Sequence, residues 1–138
     1  MNYFQVNVNY DRQTGEDNPG RVKEAYLVNA TTCGEAEKAV LDEIKPFIFG
    51  DFETPKIQKK SYFELLEDSP DCDIYYEVKV EMIVVDGEKE LRKAVNILVL
   101  ANNIRDALNT LLSNLVGYDY EVISIKKTGI TDILTQNN

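Results

Sequence analysis

The stretch YYEVKV at residues 75–80 repeats the stretch YFQVNV at residues 3–8 almost position by position. In both stretches apolar residues alternate with polar ones, a period of two that is typical of a strand with one buried face. We therefore predict two equivalent strands, each lying on a core. The predicted core faces are Phe4, Val6, Val8 and Tyr10 in one strand and Tyr76, Val78, Val80 and Met82 in the other.

Two further pairs of similar segments follow in the same order. LVNATT at 27–32 resembles LVLANN at 98–103, and the segment 51–66 resembles 119–134. A fixed order of matches with a nearly constant offset indicates an internal repeat. The sequence therefore predicts one domain, 1–138, made of two repeats at 2–66 and 74–134 that are joined by a linker at 67–73.

Each first strand is predicted to turn back into a second strand, at 22–28 and 94–100. The polar segment Asp11–Gly20 reads as a long hairpin loop in the first repeat. In the second repeat Asp86-Gly87 is the signal of a tight hairpin that requires a positive φ angle.

A helix with a capping signature follows each second strand. Thr32 precedes Glu35 by three residues, and Asn103 precedes Asp106 by three, so each side-chain oxygen can accept a hydrogen bond from a free backbone amide at the helix start. Apolar residues then recur at helical spacing, and Cys33 is interpreted as a core residue among them. The predicted buried positions are Cys33, Ala36, Ala39, Val40, Ile44 and Phe47, and Ile104, Ala107, Leu108, Leu111, Leu112 and Leu115.

A third strand is predicted in each repeat, at 52–58 and 120–126. The segments 61–66 and 130–134 that follow fit either a turn of helix or an extra edge strand, and the pattern does not decide between them. The predicted fold class is thus α+β, with duplicated ββαβ units that form a mostly antiparallel sheet and two helices packed on one face.

Composition excludes several functional classes. The chain of 138 residues has no histidine, which removes the commonest general base and the commonest transition-metal ligand. Its two cysteines are far apart, and no phosphate-binding glycine motif or calcium loop is present. We expect a protein without enzymatic activity, with no catalytic residues, no metal and no cofactor. The absence of a long apolar run predicts a cytoplasmic protein without membrane contact.

The net charge of −9 is spread evenly, with −5 in residues 1–70 and −4 in 71–138. Such a charge opposes non-specific binding to polyanions but leaves room for local basic patches. Basic residues do cluster late in both third strands, and tyrosines are expected on the sheet face opposite the helices. These residues form a predicted site for single-stranded nucleic acid, through base stacking and phosphate contacts: Tyr3, Tyr75, Lys56, Lys59, Lys60, Lys126 and Lys127.

Structural explanations for the same residues remain open. Lysines on an edge strand prevent pairing between sheets, and tyrosine is a common strand residue. The apolar strip Leu98 and Leu100 on the face away from the helices suggests a different use of that face, as a surface for homodimerisation.

Three stretches resemble a small uncharacterised domain family found in Bacteroidetes and in their phages, including crAss-like gut phages. They are YFQVNVNYD at 3–11, AYLVNATTCGEAEKAVLDEIKPFIFGDFE at 25–53 and ISIKKTGITDIL at 123–134. The resemblance implies a protein of phage or mobile-element origin and supplies no catalytic residues. Two hypotheses follow, a binding protein for single-stranded nucleic acid and, alternatively, an acidic protein-interaction or anti-defence factor that binds a host protein.

Overall fold

The computed structural model describes residues 2–12 and 20–135, and within them the chain is an α+β protein that is mostly sheet. Residues 13–19 of the predicted Asp11–Gly20 loop lie outside this described part. The strands form two sheets, where the sequence predicted one. The elements are β1 (Asn2–Arg12), β2 (Gly20–Asn29), α1 (Cys33–Ile44), a 3₁₀ turn (Lys45–Phe47), β3 (Ile48–Phe52), β4 (Lys56–Ser61), β5 (Glu64–Leu66), β6 (Ile74–Asp86), β7 (Lys89–Ala101), α2 (Ile104–Asn114), β8 (Tyr120–Lys127) and β9 (Ile130–Thr135).

The first compact unit consists of residues 2–60 together with the segment that starts at Gly129. Its sheet has the order β3–β1–β2–β9, and β4 also pairs with β1. β1 is antiparallel to β2, with Phe4 opposite Val28 and Asn9 opposite Lys23. β9 is parallel to β2.

The second compact unit spans Ser61–Thr128. Its sheet has the order β5–β7–β6–β8, with β6 antiparallel to β7 and β8 and with β5 parallel to β7. The hairpin between β6 and β7 has the tight turn that Asp86-Gly87 predicted, since Asp86 pairs with Lys89 and Gly87 has a φ of 66°.

Each sheet is completed by a strand from the opposite predicted repeat. β5 is the last strand of the first predicted repeat but pairs with β7 of the second. β9 is the last strand of the second predicted repeat but pairs with β2 of the first. Both undecided segments are therefore strands. The units divide the chain after residues 60 and 128, not at the predicted linker 67–73, which contains a turn.

The core of the first unit lies between α1 and one face of β1 and β2. The predicted face Phe4, Val6, Val8 and Tyr10 packs there, as do Ala36, Val40 and Ile44 of α1. The prediction that Cys33 fills this core is wrong, because Cys33 is the first residue of α1 and is exposed. Phe47 is also largely exposed, at 43%.

The core of the second unit has the same plan. Tyr76, Val78, Val80 and Met82 pack with Ala107, Leu111 and Leu115 of α2. Ile104 and Leu112 were predicted to be buried but are 53% and 46% exposed. Their positions fit the helical spacing, yet the buried stripe of this short helix is narrower than the pattern suggested.

The third strand that was predicted at 52–58 is interrupted, whereas the one predicted at 120–126 is continuous. β3 ends at Phe52 and β4 begins at Lys56, and Pro55 in the gap has no amide to donate to a ladder. The pairing of β1 with β3 also shifts register between Tyr10 and Arg12. Gly50 lies in this irregular part with a φ of 96°, and an added Cβ would come within 3.2 Å of Asp11.

Removal of either helix cap tests the predicted N-termini. Thr32 accepts a hydrogen bond from the Glu35 amide at 3.2 Å, and Asn103 accepts one from the Asp106 amide at 2.9 Å. We expect Thr32→Ala and Asn103→Ala each to lower the free energy of unfolding by about 1 kcal/mol in urea titrations. Thr31→Ala and Asn102→Ala are the matched controls, and equal losses at the control positions would contradict the capping role.

Truncation tests the pairing of β9 with β2. A chain that ends at Thr128 lacks β9, so we expect faster hydrogen exchange at the β2 amides between Ala25 and Asn29. The control chain ends at Thr135 and keeps β9. Loss of protection confined to residues 61–128 would show that β9 does not complete the first sheet.

Candidate binding surfaces

The two tyrosines of the predicted site are buried. Tyr3 is 6% exposed and Tyr75 is 5% exposed, and the Tyr75 hydroxyl donates to Glu67 at 3.1 Å. The expectation that both rings lie on an open sheet face is therefore wrong, since neither ring presents a face on which a base could stack. Nucleic-acid binding itself stays a prediction.

The apolar strip at Leu98 and Leu100 is covered as well. These side chains are 1% and 6% exposed. The alternation correctly placed both side chains on the sheet face opposite α2. It could not show that this opposite face is buried at Leu98 and Leu100. Homodimerisation through the strip thus loses its structural basis.

The three lysines of β4 do not share one face. Ile57 packs against the core of the first unit. Because strand residues alternate between faces, Lys56 and Lys60 lie on the face away from α1, which we call the outer face, and Lys59 lies on the α1 side.

The lysines of β8 are divided in the same way. Lys126 lies opposite Glu77, and its ammonium is 3.2 Å from the Glu77 carboxylate, to which Tyr62 also donates at 3.2 Å. Lys127 lies opposite Tyr76 of the core face. The five predicted lysines therefore occupy two units and both faces of their sheets, and they do not share one sheet face with each other.

The outer face of the first sheet contains a pocket of about 380 Å³ that is lined mostly by polar residues. Asn9 of β1 lies directly opposite Lys23 of β2, and Asn7 and Ala25 form the next pair on the same face. The pocket is bordered by the segment between β3 and β4 and by the start of the C-terminal segment. Its lining residues are Asn7, Val8, Asn9, Lys23, Glu24, Ala25, Glu53, Thr54, Lys56 and Gly129.

Glu53 in this pocket is already neutralised by its neighbours. Its carboxylate is 2.9 Å from the Arg21 guanidinium and accepts a hydrogen bond from Asn9 Nδ2 at 3.2 Å. Arg21 also donates to Asp11 at 3.1 Å, and this hydrogen bond, together with the nearby charge of Glu53, raises the pKa of Arg21. Arg21 thus holds Glu53, which lines the pocket, and the nearby Asp11.

Three polar groups of the pocket residues lack a partner in the described part of the chain: the ammonium groups of Lys23 and Lys56, and the Oδ1 atom of Asn9. In residues 2–12 and 20–135, no carboxylate lies within 4 Å of the Lys23 or Lys56 ammonium. The Asn9 Oδ1 atom is buried and accepts no hydrogen bond from any residue of the described ranges. Its orientation is fixed because Glu53 requires the Nδ2 donor on the other side. Sequence reasoning found Lys56 but missed Lys23, although the alternation of β2 places Lys23 on the outer face.

The opposite face of the first unit carries a cluster around Glu24. This carboxylate accepts a hydrogen bond from the Tyr10 hydroxyl and lies 3.4 Å from Arg12. Arg12 in turn stacks over Phe47, with 4.4 Å between its guanidinium carbon and the ring centre. Burial and the hydrogen bond to Glu24 raise the pKa of Tyr10 to about 12. The cluster ties β1, β2 and the 3₁₀ turn together.

Two kinds of feature are not found among the described residues, a metal site and a membrane-spanning helix. Among them, no group of three or more acidic or cysteine side chains is arranged to hold a metal ion. None of their helices has the length and apolar character that a membrane crossing requires.

The elements and their pairing define a small α+β protein with two sheets. Residues 2–136 match the family described as "Domain of unknown function (DUF4494)", and the chain belongs to this family. No curated protein and no solved structure matches the chain.

Alkaline titration tests the environment of Tyr10. The folded chain keeps the Tyr10 proton up to a pKa of about 12, whereas the unfolded chain loses it near 10. The unfolded state therefore binds fewer protons in this window, and we expect the free energy of unfolding to fall as pH rises from 10 to 12. In urea titrations across this range, Tyr10→Phe should give a shallower decline. Equal slopes in both proteins would contradict the assignment.

Proposed function

We propose that this protein is a non-enzymatic binding protein that holds the phosphate backbone of single-stranded nucleic acid in the outer-face pocket of its first unit. The observation that carries the proposal is the pair Lys23 and Lys56, which border the pocket without an acidic partner in the described chain. Lys60 lies on the same face of β4 and would extend the contact along a strand of nucleic acid.

The pocket suits a ligand that carries both anionic oxygens and hydrogen-bond donors. Two ammonium groups favour a phosphate, and the contribution of each is electrostatic because lysine acts as a point charge. Asn7 and Thr54 in the lining can accept hydrogen bonds from the ring and amino N–H groups of nucleobases.

The protein as a whole repels polyanions, which limits the proposed affinity. With a net charge of −9, long-range attraction is absent, and binding depends on short-range contacts at the pocket. The buried Tyr3 and Tyr75 take no part in the revised site. We therefore propose a site of a few nucleotides with a modest dependence on salt.

We further infer that the chain arose by duplication of a ββαβ unit. Support comes from the repeated strand, helix and strand order, and from the two sheets having equivalent orders, β3–β1–β2–β9 and β8–β6–β7–β5. The pocket belongs to one copy only: Lys79 of β6 lies opposite Asn96, whereas Asn7 of β1 lies opposite Ala25. A phage or mobile-element origin, proposed from the sequence resemblance, is compatible with a small protein of this kind.

Oligonucleotide titration tests the proposed function. We expect a fluorescein-labelled single-stranded DNA of about 12 nucleotides, a length within known site sizes, to bind at low salt, as measured by fluorescence anisotropy. Lys23→Gln combined with Lys56→Gln should weaken binding and reduce the slope of log K against log salt by about 0.7 for each lost phosphate contact.

The matched control removes two other exposed lysines of the same unit, through Lys38→Gln and Lys45→Gln. Its net charge equals that of the test variant, so any general electrostatic effect is the same in both. Equal affinities in the two double variants would place the ligand elsewhere. Absence of binding at tens of micromolar protein would refute the proposed function.

A further inference from the structure

The hairpin of β6 and β7 extends past the strands that flank it. On one side, the pairing of β6 with β8 ends where Met82 meets Tyr120. On the other side, β5 covers only residues 97–99 of β7. The part of the hairpin around the Gly87 turn is thus a two-stranded ribbon.

One edge of this ribbon has free backbone groups that point outward. The Asn96 carbonyl accepts a hydrogen bond from the Phe63 amide, on the side of β7 that faces β5. In a strand, residues two apart direct their N–H and C=O groups to the same side, so Glu90, Arg92 and Ala94 point theirs to that side too. No strand of the described chain pairs with β7 there.

Beside this edge lies an apolar groove of about 260 Å³. Phe63 and Tyr118 form one wall, with their rings edge to face and their centres 6.2 Å apart. Val84 and Leu91 lie opposite each other on the ribbon and continue the apolar surface. All four side chains are substantially exposed, at 40%, 53%, 56% and 51%. The groove is lined by Phe63, Met82, Ile83, Val84, Lys93, Val95, Tyr118 and Asp119.

The face that carries the groove also carries unpaired positive charge. Lys89 and Lys93 flank Leu91 at alternate positions of β7 and therefore lie on the same face. In the described part of the chain, neither has a carboxylate within 4 Å. Arg92 on the opposite face is instead held by Glu81, Glu90 and Glu121. Asp86 lies opposite Lys89 on β6 and Asp119 lines the groove, but on the edge strand β7 itself the charged residues of this face are the two lysines.

We propose that this surface binds an extended, acidic segment of another protein, which adds to the free edge of β7 as a further strand. Backbone hydrogen bonds to Glu90, Arg92 and Ala94 would align the segment, as in other cases of strand addition. An aliphatic or aromatic side chain of the segment enters the groove between Phe63 and Val84. Its acidic residues meet Lys89 and Lys93.

A second copy of the chain is a poor occupant of this edge. If two β7 strands paired antiparallel about Leu91, Lys89 of each copy would lie opposite Lys93 of the other. Like charges directly opposite each other destabilise a strand pair. The same lysines that oppose self-pairing are thus those that select an acidic partner.

Peptide titration followed by NMR tests the proposal. The probe is an eight-residue peptide, blocked at both ends, in which threonine occupies every second position and glutamate, valine and glutamate follow one another at the positions between, so that the glutamates and the valine lie on the same face of the strand. We expect it to shift the amide signals of Glu90, Arg92 and Ala94. A peptide with lysine in place of each glutamate should bind roughly tenfold more weakly or not at all.

Two test variants, each with a control, distinguish the contribution of backbone pairing at the β7 edge from the contribution of the lysine charges. Ala94→Pro removes an outward N–H at an edge position where proline is tolerated, and it should abolish binding, whereas its control Ala94→Val should retain it. Lys89→Gln with Lys93→Gln should weaken binding of the acidic peptide several-fold. Lys79→Gln with Lys127→Gln, which carries the same charge change in the same unit, should have little effect.

Several outcomes would overturn the proposal. They are no binding at millimolar peptide, signal shifts that exclude residues 89–95, or equal binding of the acidic and basic peptides. Concentration-dependent dimerisation that Ala94→Pro abolishes would identify a second copy as the occupant instead. The result is independent of the nucleic-acid site, because Lys23 and Lys56 are unchanged in every variant.

Discussion

The parallel pairing of β9 with β2 is the interaction on which the first unit depends. It joins residues 130–135 to residues 25–29, so the sheet that contains the N-terminal strand requires the last described strand of the chain. A parallel pair cannot be closed by a short turn and needs a long connection. Here the connection between β2 and β9 includes the whole second unit, residues 61–128. Such non-local pairing is slow to form, because the chain loses the entropy of closing a long loop before the contacts between the strands stabilise it.

The pairing of β5 with β7, the counterpart of the pairing of β9 with β2, explains why part of the β7 edge is left free. β5 has three residues, whereas β9 has six. A short strand covers little of a neighbour that is 13 residues long, and the rest of β7 keeps its outward backbone groups. Native sheets usually protect such edges with charged side chains, and Lys89, Arg92 and Lys93 are placed accordingly. The available edge is therefore a direct consequence of how the sheet is completed.

Local features of the fold could be predicted from the sequence because their causes are local. Alternation placed Val6 and Val78 on core faces, and Thr32 and Asn103 cap their helices as expected. The sequence could not show which strands the segments 64–66 and 130–135 pair with, because a short apolar segment carries no information on its pairing partner. Burial of Tyr3 and Leu98 was missed for a related reason. Alternation assigns a residue to a face but does not show whether that face is covered.

Four exposed lysines that have no ion pair within the described residues allow tests of binding to be separated from effects on folding. Exposed ion pairs contribute about 0–1 kcal/mol each, so leaving Lys23, Lys56, Lys89 and Lys93 without partners costs the fold little. Their replacement by glutamine removes charge but keeps most of the side-chain length and the backbone pairing. A change in affinity at these positions therefore reports on a ligand, whereas a change at Tyr10 or Glu24 would also alter the core. In an acidic protein of this size, isolated cations beside a pocket or a free edge are the residues at which binding and stability are most nearly independent.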